Sequence, residues 1–208
     1  MNKEMRLSRS FKLKEFLNSQ TAERSPLIYK EQNNPPPEVI ANLEYLCQKT
    51  LQPLRDKLQV PIRITSGYRC EKLNTKIGGS KSSQHILGQA ADCVINDKYL
   101  QNKRFKDIMT LIKRRIYNDY GAHISDQVNI NYFLFIYAAM RIDKLDIDQL
   151  VHEYGEDKGL PGWVHIAASQ TKINKRRITA IGNYLPASSS ELTLASAIEF
   201  GSVIEEIA

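Results

Sequence analysis

The sequence predicts an α+β fold in which helices pack against a small antiparallel sheet. Three observations predict it. Apolar residues Val39, Leu43, Leu46, Leu51, Leu54 and Leu58 recur with a helical period of about 3.6 residues. The run Pro61-Ile62-Arg63-Ile64-Thr65-Ser66 alternates as a half-buried strand does and stops at Gly67. Two more strand-like stretches, 148–154 and 163–167, flank a glycine-bearing turn at 155–162, so they can pair antiparallel.

The remaining elements follow in order. Residues 11–24 read as a short helix or turn with Phe11, Leu13, Phe16 and Leu17 inward. Asn33-Asn34-Pro35-Pro36-Pro37 breaks the chain and opens the long helix, which Pro53 should kink. Residues 70–87 read as loop, with Gly78-Gly79-Ser80 and Ser82-Ser83. Residues 90–95 read as a short buried strand. From 102 to 120 the stripe Phe105, Ile108, Met109, Ile112 and Ile116 predicts a helix, and 130–140 a second one packed on it. The chain beyond Gly182 is less legible, with a possible C-terminal helix at 191–207.

Composition narrows the function classes. At 208 residues, with 42% hydrophobic and 25% charged residues, the chain has globular averages, which excludes wholesale disorder and fibrous folds. No window approaches the roughly 18 uninterrupted apolar residues of a membrane span. The net charge of +6 favours an anionic setting such as nucleic acid, membrane or acidic cell-wall polymer, without choosing among them. The basic residues between Lys103 and Arg115 read as the solvated face of a helix, so no nucleic-acid partner is expected. Cys47, Cys70 and Cys93 form no CxxC pair and read as buried thiols made in a reducing compartment. The basic N-terminal residues are not followed by an apolar stretch, so no signal peptide is expected.

Two segments carry chemistry. In Ser83-Gln84-His85-Ile86-Leu87-Gly88-Gln89-Ala90-Ala91-Asp92, a histidine and an aspartate are joined through a glycine turn and small residues. The chain can fold back so that both side chains point at one spot. Imidazole nitrogen and carboxylate oxygen are both zinc ligands. In Trp163-Val164-His165-Ile166, strand alternation puts Trp163 and His165 on one face, where the pattern alone favours reading His165 as a satisfied core histidine.

Together, Ser83-x-His85-x-x-Gly88-x-Ala90-x-Asp92 and the downstream Trp163-x-His165 resemble the zinc D-alanyl-D-alanine carboxypeptidase family of metallopeptidases. That family includes vancomycin-resistance peptidases and phage L-alanyl-D-glutamate endopeptidases, and it has the hedgehog/DD-peptidase fold. Ile64-Thr65-Ser66-Gly67-Tyr68-Arg69, Leu73-Asn74 and Gly78-Gly79-Ser80 resemble the segment before the first zinc histidine. Phe11-x-Leu13-x-Glu15-Phe16 with Ser19-Gln20-Thr21-Ala22 resembles the family's lead-in. The likeness covers residues 7–96 and 147–168.

The resemblance implies a catalytic Zn2+ held by His85, Asp92 and His165, with a fourth position for water. It implies that Arg69 and Ser83 lie near the substrate, and that the substrate is a peptidoglycan stem peptide cut next to a D-amino acid. Several relatives carry a glutamate three residues before the last histidine, where this chain has Gly162. Gln149-Leu150-Val151-His152-Glu153-Tyr154-Gly155 resembles a family strand with a glutamate at the position of Glu153, which is therefore the expected general base. His152 falls on the opposite strand face, and Glu156 and Asp157 fall in the turn. If no carboxylate serves, the chain would be a catalytically inactive, zinc-containing binding module. The expected organisation is one peptidase domain over 1–181, with a helical insertion at about 98–145 and an extension at 182–208. The protein would be made in the cytoplasm and reach the wall on release or by assisted export. Oligomeric state and the scissile bond are left open by the sequence.

Overall fold

The computed structural model describes residues 4–155, 160–170, 176–183, 185 and 187–202. The chain opens with three short helices, α1 (Leu13–Leu17), α2 (Gln20–Glu23) and α3 (Pro26–Gln32). Phe11, Leu13, Phe16 and Leu17 are all buried, as their spacing predicts. After the Asn-Pro break, α4 (Pro37–Leu46) passes through a π-helical turn at Cys47–Leu51 into α5 (Gln52–Leu58). In that turn the Gln52 N–H reaches the Cys47 carbonyl, five residues back. The wider turn makes room for the Pro53 ring, so the expected kink takes the form of a π-bulge rather than a break.

One six-stranded sheet follows, from β1 (Arg63–Ser66), β2 (Ala90–Val94), β3 (Gln149–Glu153), β4 (Trp163–Ala167), β5 (Arg177–Ile181) and β6 (Ser189–Leu192), in the order β1-β2-β4-β3-β5-β6. The α+β expectation holds, with a sheet larger than the pattern suggested. It is also not purely antiparallel, because β5 pairs with β3 in parallel. The pair is parallel because β4 reverses the chain between the two: β4 ends and β5 begins beside Gln149, at the same end of β3.

The sheet is buried on its back. Leu150, His152, Val164 and Ile166 point that way and are fully covered, with α8 (Ile130–Ala139) packed on β3 and β4. His152 sits between the rings of Phe135 and Phe200, at 5.3 and 5.6 Å. Helix α7 (Lys103–Tyr120) lies outside α8, capped by Asn102 and buried through Phe105, Ile112 and Ile116. Helix α9 (Leu194–Glu199) packs on α8, where the Tyr132 hydroxyl donates to the Ile198 carbonyl at 3.0 Å.

Two sequence expectations need correction. The stretch 70–87 is not all loop, since Glu71–Lys76 forms a helix, α6, with Leu73 and Asn74 buried. Six residues are too few to display a period. The expected helix at 191–207 begins instead as strand β6, and only α9 is helical. Residues 203–208 lie outside the described residues. The three cysteines are buried free thiols. Among the described residues, no helix is long and apolar enough to cross a membrane.

Candidate metal centre

The front of the sheet collects the chemistry. In the antiparallel register Asp92 on β2 stands directly opposite His165 on β4, and directly opposed residues point to the same face. Thus residues far apart in sequence become neighbours through strand pairing alone. The third member, His85, comes from the loop before β2. Gly88 turns that loop at φ +68°, and a Cβ there would lie 2.7 Å from the Val39 carbonyl oxygen of α4. Only glycine allows both the turn and the close seat on the helix.

His85 Nε2, His165 Nδ1 and Asp92 Oδ1 form a near-equilateral triangle. The edges are 3.2 Å between the imidazoles, 3.0 Å from His165 to Asp92 and 3.2 Å from His85 to Asp92. Ligand bonds of about 2.0–2.1 Å in tetrahedral geometry imply edges of roughly 3.3 Å, so the donor set fits a small divalent cation. The protonation pattern fits as well. His85 Nδ1 lies 2.6 Å from the Gly67 carbonyl, which only accepts, so the proton sits on Nδ1 and the Nε2 lone pair faces the centre. One proton on His165 could serve Asp92 but would leave His85 Nε2 unsatisfied, whereas a cation satisfies all three donors.

All three side chains are buried, and they could hold a metal ion. Burial lowers the pKa of His85, opposed by the neighbouring Asp92. For Asp92, burial works upward, but the two imidazoles outweigh it and hold the carboxyl far below the usual carboxylate range. Arg69 supports the same aspartate. Its Nη2 donates to Asp92 Oδ2 at 2.7 Å and its Nε to Ser66 Oγ at 2.8 Å. This leaves Oδ1 for the centre and fixes the carboxylate plane.

The centre lies on a cleft of about 440 Å³ whose lining includes Ser83, Gln84, Gln89, Asp148, Glu153 and His165. Register puts Glu153 opposite Trp163 and Val151 opposite His165, so Glu153 faces the same side as the histidine. The Trp163 indole Nε1 donates to Glu153 Oε2 at 2.6 Å. Burial raises the Glu153 pKa above its ordinary value, while the nearby His165 and the indole N–H pull it down.

The structure therefore brings together His85, Asp92, His165, Arg69 and Glu153, and puts Ser83 on the same cleft. His152 is on the back face. Glu156 and Asp157 lie outside the described residues. Gly162 cannot be replaced by an acidic side chain without rearrangement, because a Cβ there would stand 2.7 Å from the Tyr154 carbonyl oxygen. Among the cleft-lining residues that sequence reading missed are Gln89 and Arg177. Gln89 sits in a motif position with no prescribed chemistry, and Arg177 belongs to a strand whose pattern was not legible.

A family model described as Peptidase M15 matches residues 9–127, more than half the chain. His85, Asp92, Arg69 and Ser83 lie inside that segment, and Glu153 and His165 beyond it. Among curated proteins none matches the chain.

Proposed function

The chain belongs to the peptidase M15 family, and on that premise we propose that it is a zinc peptidase that hydrolyses peptidoglycan stem peptides next to a D-amino acid. One observation carries the reading. Three electron-pair donors from β2, β4 and the His85 loop converge with edges of 3.0–3.2 Å on a cleft that also holds Glu153.

In this reading His85, Asp92 and His165 hold the zinc. When bound, zinc lowers the pKa of a coordinated water from about 15.7 toward 7 and polarises the scissile carbonyl. Glu153 takes the proton from the attacking water and delivers it to the leaving amine. Its Oε2 is held by Trp163, and Oε1 has no hydrogen-bond partner among the described residues. A raised pKa suits a group that must accept and then return a proton near neutral pH. Arg69 keeps Asp92 aligned through Nη2, while its Nη1 has no partner among the described residues and is available for a substrate carbonyl or carboxylate. The Ser83 hydroxyl lines the same cleft and is assigned to substrate.

The experiment is metal analysis of the purified chain combined with muropeptide digestion and mass spectrometry. The expected result is about one zinc per chain, with products cut beside a D-amino acid. Zinc with no cleavage of any muropeptide would favour an inactive binding module. A stoichiometry near zero after zinc reconstitution would overturn the assignment of the site.

A further inference from the structure

A second cleft, of about 720 Å³, opens beside the metal centre. Leu87 and Gln89 line both clefts and form the divide between them. The second cleft is acidic. Glu31, Glu38 and Glu71 line it, and among the described residues no lysine or arginine does, in a chain whose net charge is +6. Lys72 compensates Glu31 at 2.8 Å, but Glu38 and Glu71 have no ion pair among the described residues.

Exposed carboxylates alone would be ordinary solvated surface. Two buried side chains distinguish this cleft. Gln89 is only 4% exposed and Tyr68 only 7%. Neither the Gln89 amide nor the Tyr68 hydroxyl has a hydrogen-bond partner among the described residues, yet neither is sealed from the cleft. Their polar atoms keep access to the cleft while the rest of each side chain is packed, so they are held in place and free to pair with whatever enters it. A glutamine amide offers one acceptor and two donors, the complement of a peptide group. Burial pushes the Tyr68 hydroxyl up to about 12, so it remains a neutral donor and acceptor.

We propose that the second cleft is a substrate subsite that takes a primary ammonium group carried by the peptide. Gln89 binds the peptide backbone where it crosses from the metal centre, and Tyr68 binds it within the cleft. Glu38 and Glu71 attract the amine. The inference rests on the peptidase reading and adds to it a substrate class, an amine-bearing peptide.

The test uses two peptides with the same scissile bond. In one, a nearby side chain carries a free amine; in the other, that amine is acetylated. Both are offered to the zinc-loaded full chain, with kcat/KM read by product mass spectrometry and Kd by calorimetry. The free-amine peptide is expected to be preferred about tenfold at low salt, the preference shrinking as salt rises. The double variant E38Q/E71Q should bring the ratio near one, while E44Q, elsewhere on α4, should keep it. Gln89→Met should raise KM and Kd for both peptides. A ratio near one with the wild-type chain, or unchanged KM and Kd in Gln89→Met, would overturn the subsite. Cleavage without preference sinks the subsite and leaves the peptidase reading intact. Amine-selective binding without cleavage does the reverse.

Discussion

The Glu153 carboxylate accepts a 2.6 Å hydrogen bond from the Trp163 indole N–H, its directly opposed partner on the neighbouring strand. An N–H donor stabilises the ionised carboxylate, so it works against the burial that raises the pKa of Glu153. Trp163→Phe removes the donor and keeps an aromatic ring beside Tyr154, whose ring lies 5.2 Å away. The Glu153 pKa must then rise further. Activity that depends on ionised Glu153 is lost as pH falls through that pKa, so the acid limb of kcat/KM moves to higher pH. A hydrogen bond to a charged group contributes about 1.5–3 kcal/mol, which corresponds to a shift of roughly one pH unit or more. A pH–rate profile of wild type and variant checks this. A limb that stays in place assigns it to another group.

The same carboxylate gives the second prediction. Glu153→Gln preserves shape and can still meet the indole through its amide oxygen, but it cannot take up a proton. Metal content should stay at the wild-type value, and kcat should fall about 10²–10⁴-fold, the usual share of general acid–base catalysis. Single-turnover hydrolysis of a muropeptide, run beside metal analysis, reads both quantities. Wild-type turnover in this variant would remove Glu153 as the base, and with His152 on the back face no neighbouring histidine could replace it.

How much of this site could be read from the chain depends on how each residue reaches it. His85 and Asp92 sit in one contiguous motif, so their convergence was legible from the glycine turn between them. His165 was ambiguous, because its role depends on strand register, and register follows from pairing that no local window contains. Glu153 was readable as a strand residue on the face opposite to His152, since alternation separates the two. Its contact with Trp163 was not, because a cross-strand hydrogen bond depends on that same register. The parallel strand β5 escaped notice because Arg177-Ile178-Thr179-Ala180-Ile181 is short and alternates only weakly, and its pairing with β3 is set by no local window even though Gly182-Asn183 marks its end. Gln89 was invisible in sequence, since its meaning lies in being buried without a partner.

Arg69 separates two kinds of support. Its guanidinium spans Ser66 and Asp92, so it both neutralises the Asp92 carboxylate and fixes its plane. Arg69→Lys keeps the charge and loses the planar fork. At saturating zinc the variant should still hold about one ion, while turnover falls strongly. Arg69→Met removes the charge as well, and metal affinity should then drop about 10–100-fold, the range seen when an outer partner of a metal ligand is lost. Zinc titration against a competing chelator, with kcat/KM at saturating zinc, distinguishes the two effects. Wild-type zinc affinity in both variants would mean that Asp92 needs no help from Arg69.

The last prediction concerns the turn that carries His85. At Gly88 the backbone has φ +68°, and a Cβ would meet Val39 O at 2.7 Å and Val39 Cγ1 at 2.9 Å. Gly88→Ala therefore strains the backbone and pushes the loop off α4. Backbone strain of this kind costs about 1–3 kcal/mol, so the metal-free chain should unfold at correspondingly lower urea. The loop also aims the His85 ring, whose Nδ1 is tied to Gly67 and whose Nε2 completes the donor triangle. Displacing it weakens zinc binding, and a bound ion stabilises the fold by an amount that grows with the logarithm of its free concentration over its Kd. The zinc-loaded variant should thus lose more stability relative to wild type than the metal-free variant does. Urea titrations of both proteins with and without zinc measure the two differences. Equal losses with and without zinc would show that the strain stays within the loop and never reaches the metal centre.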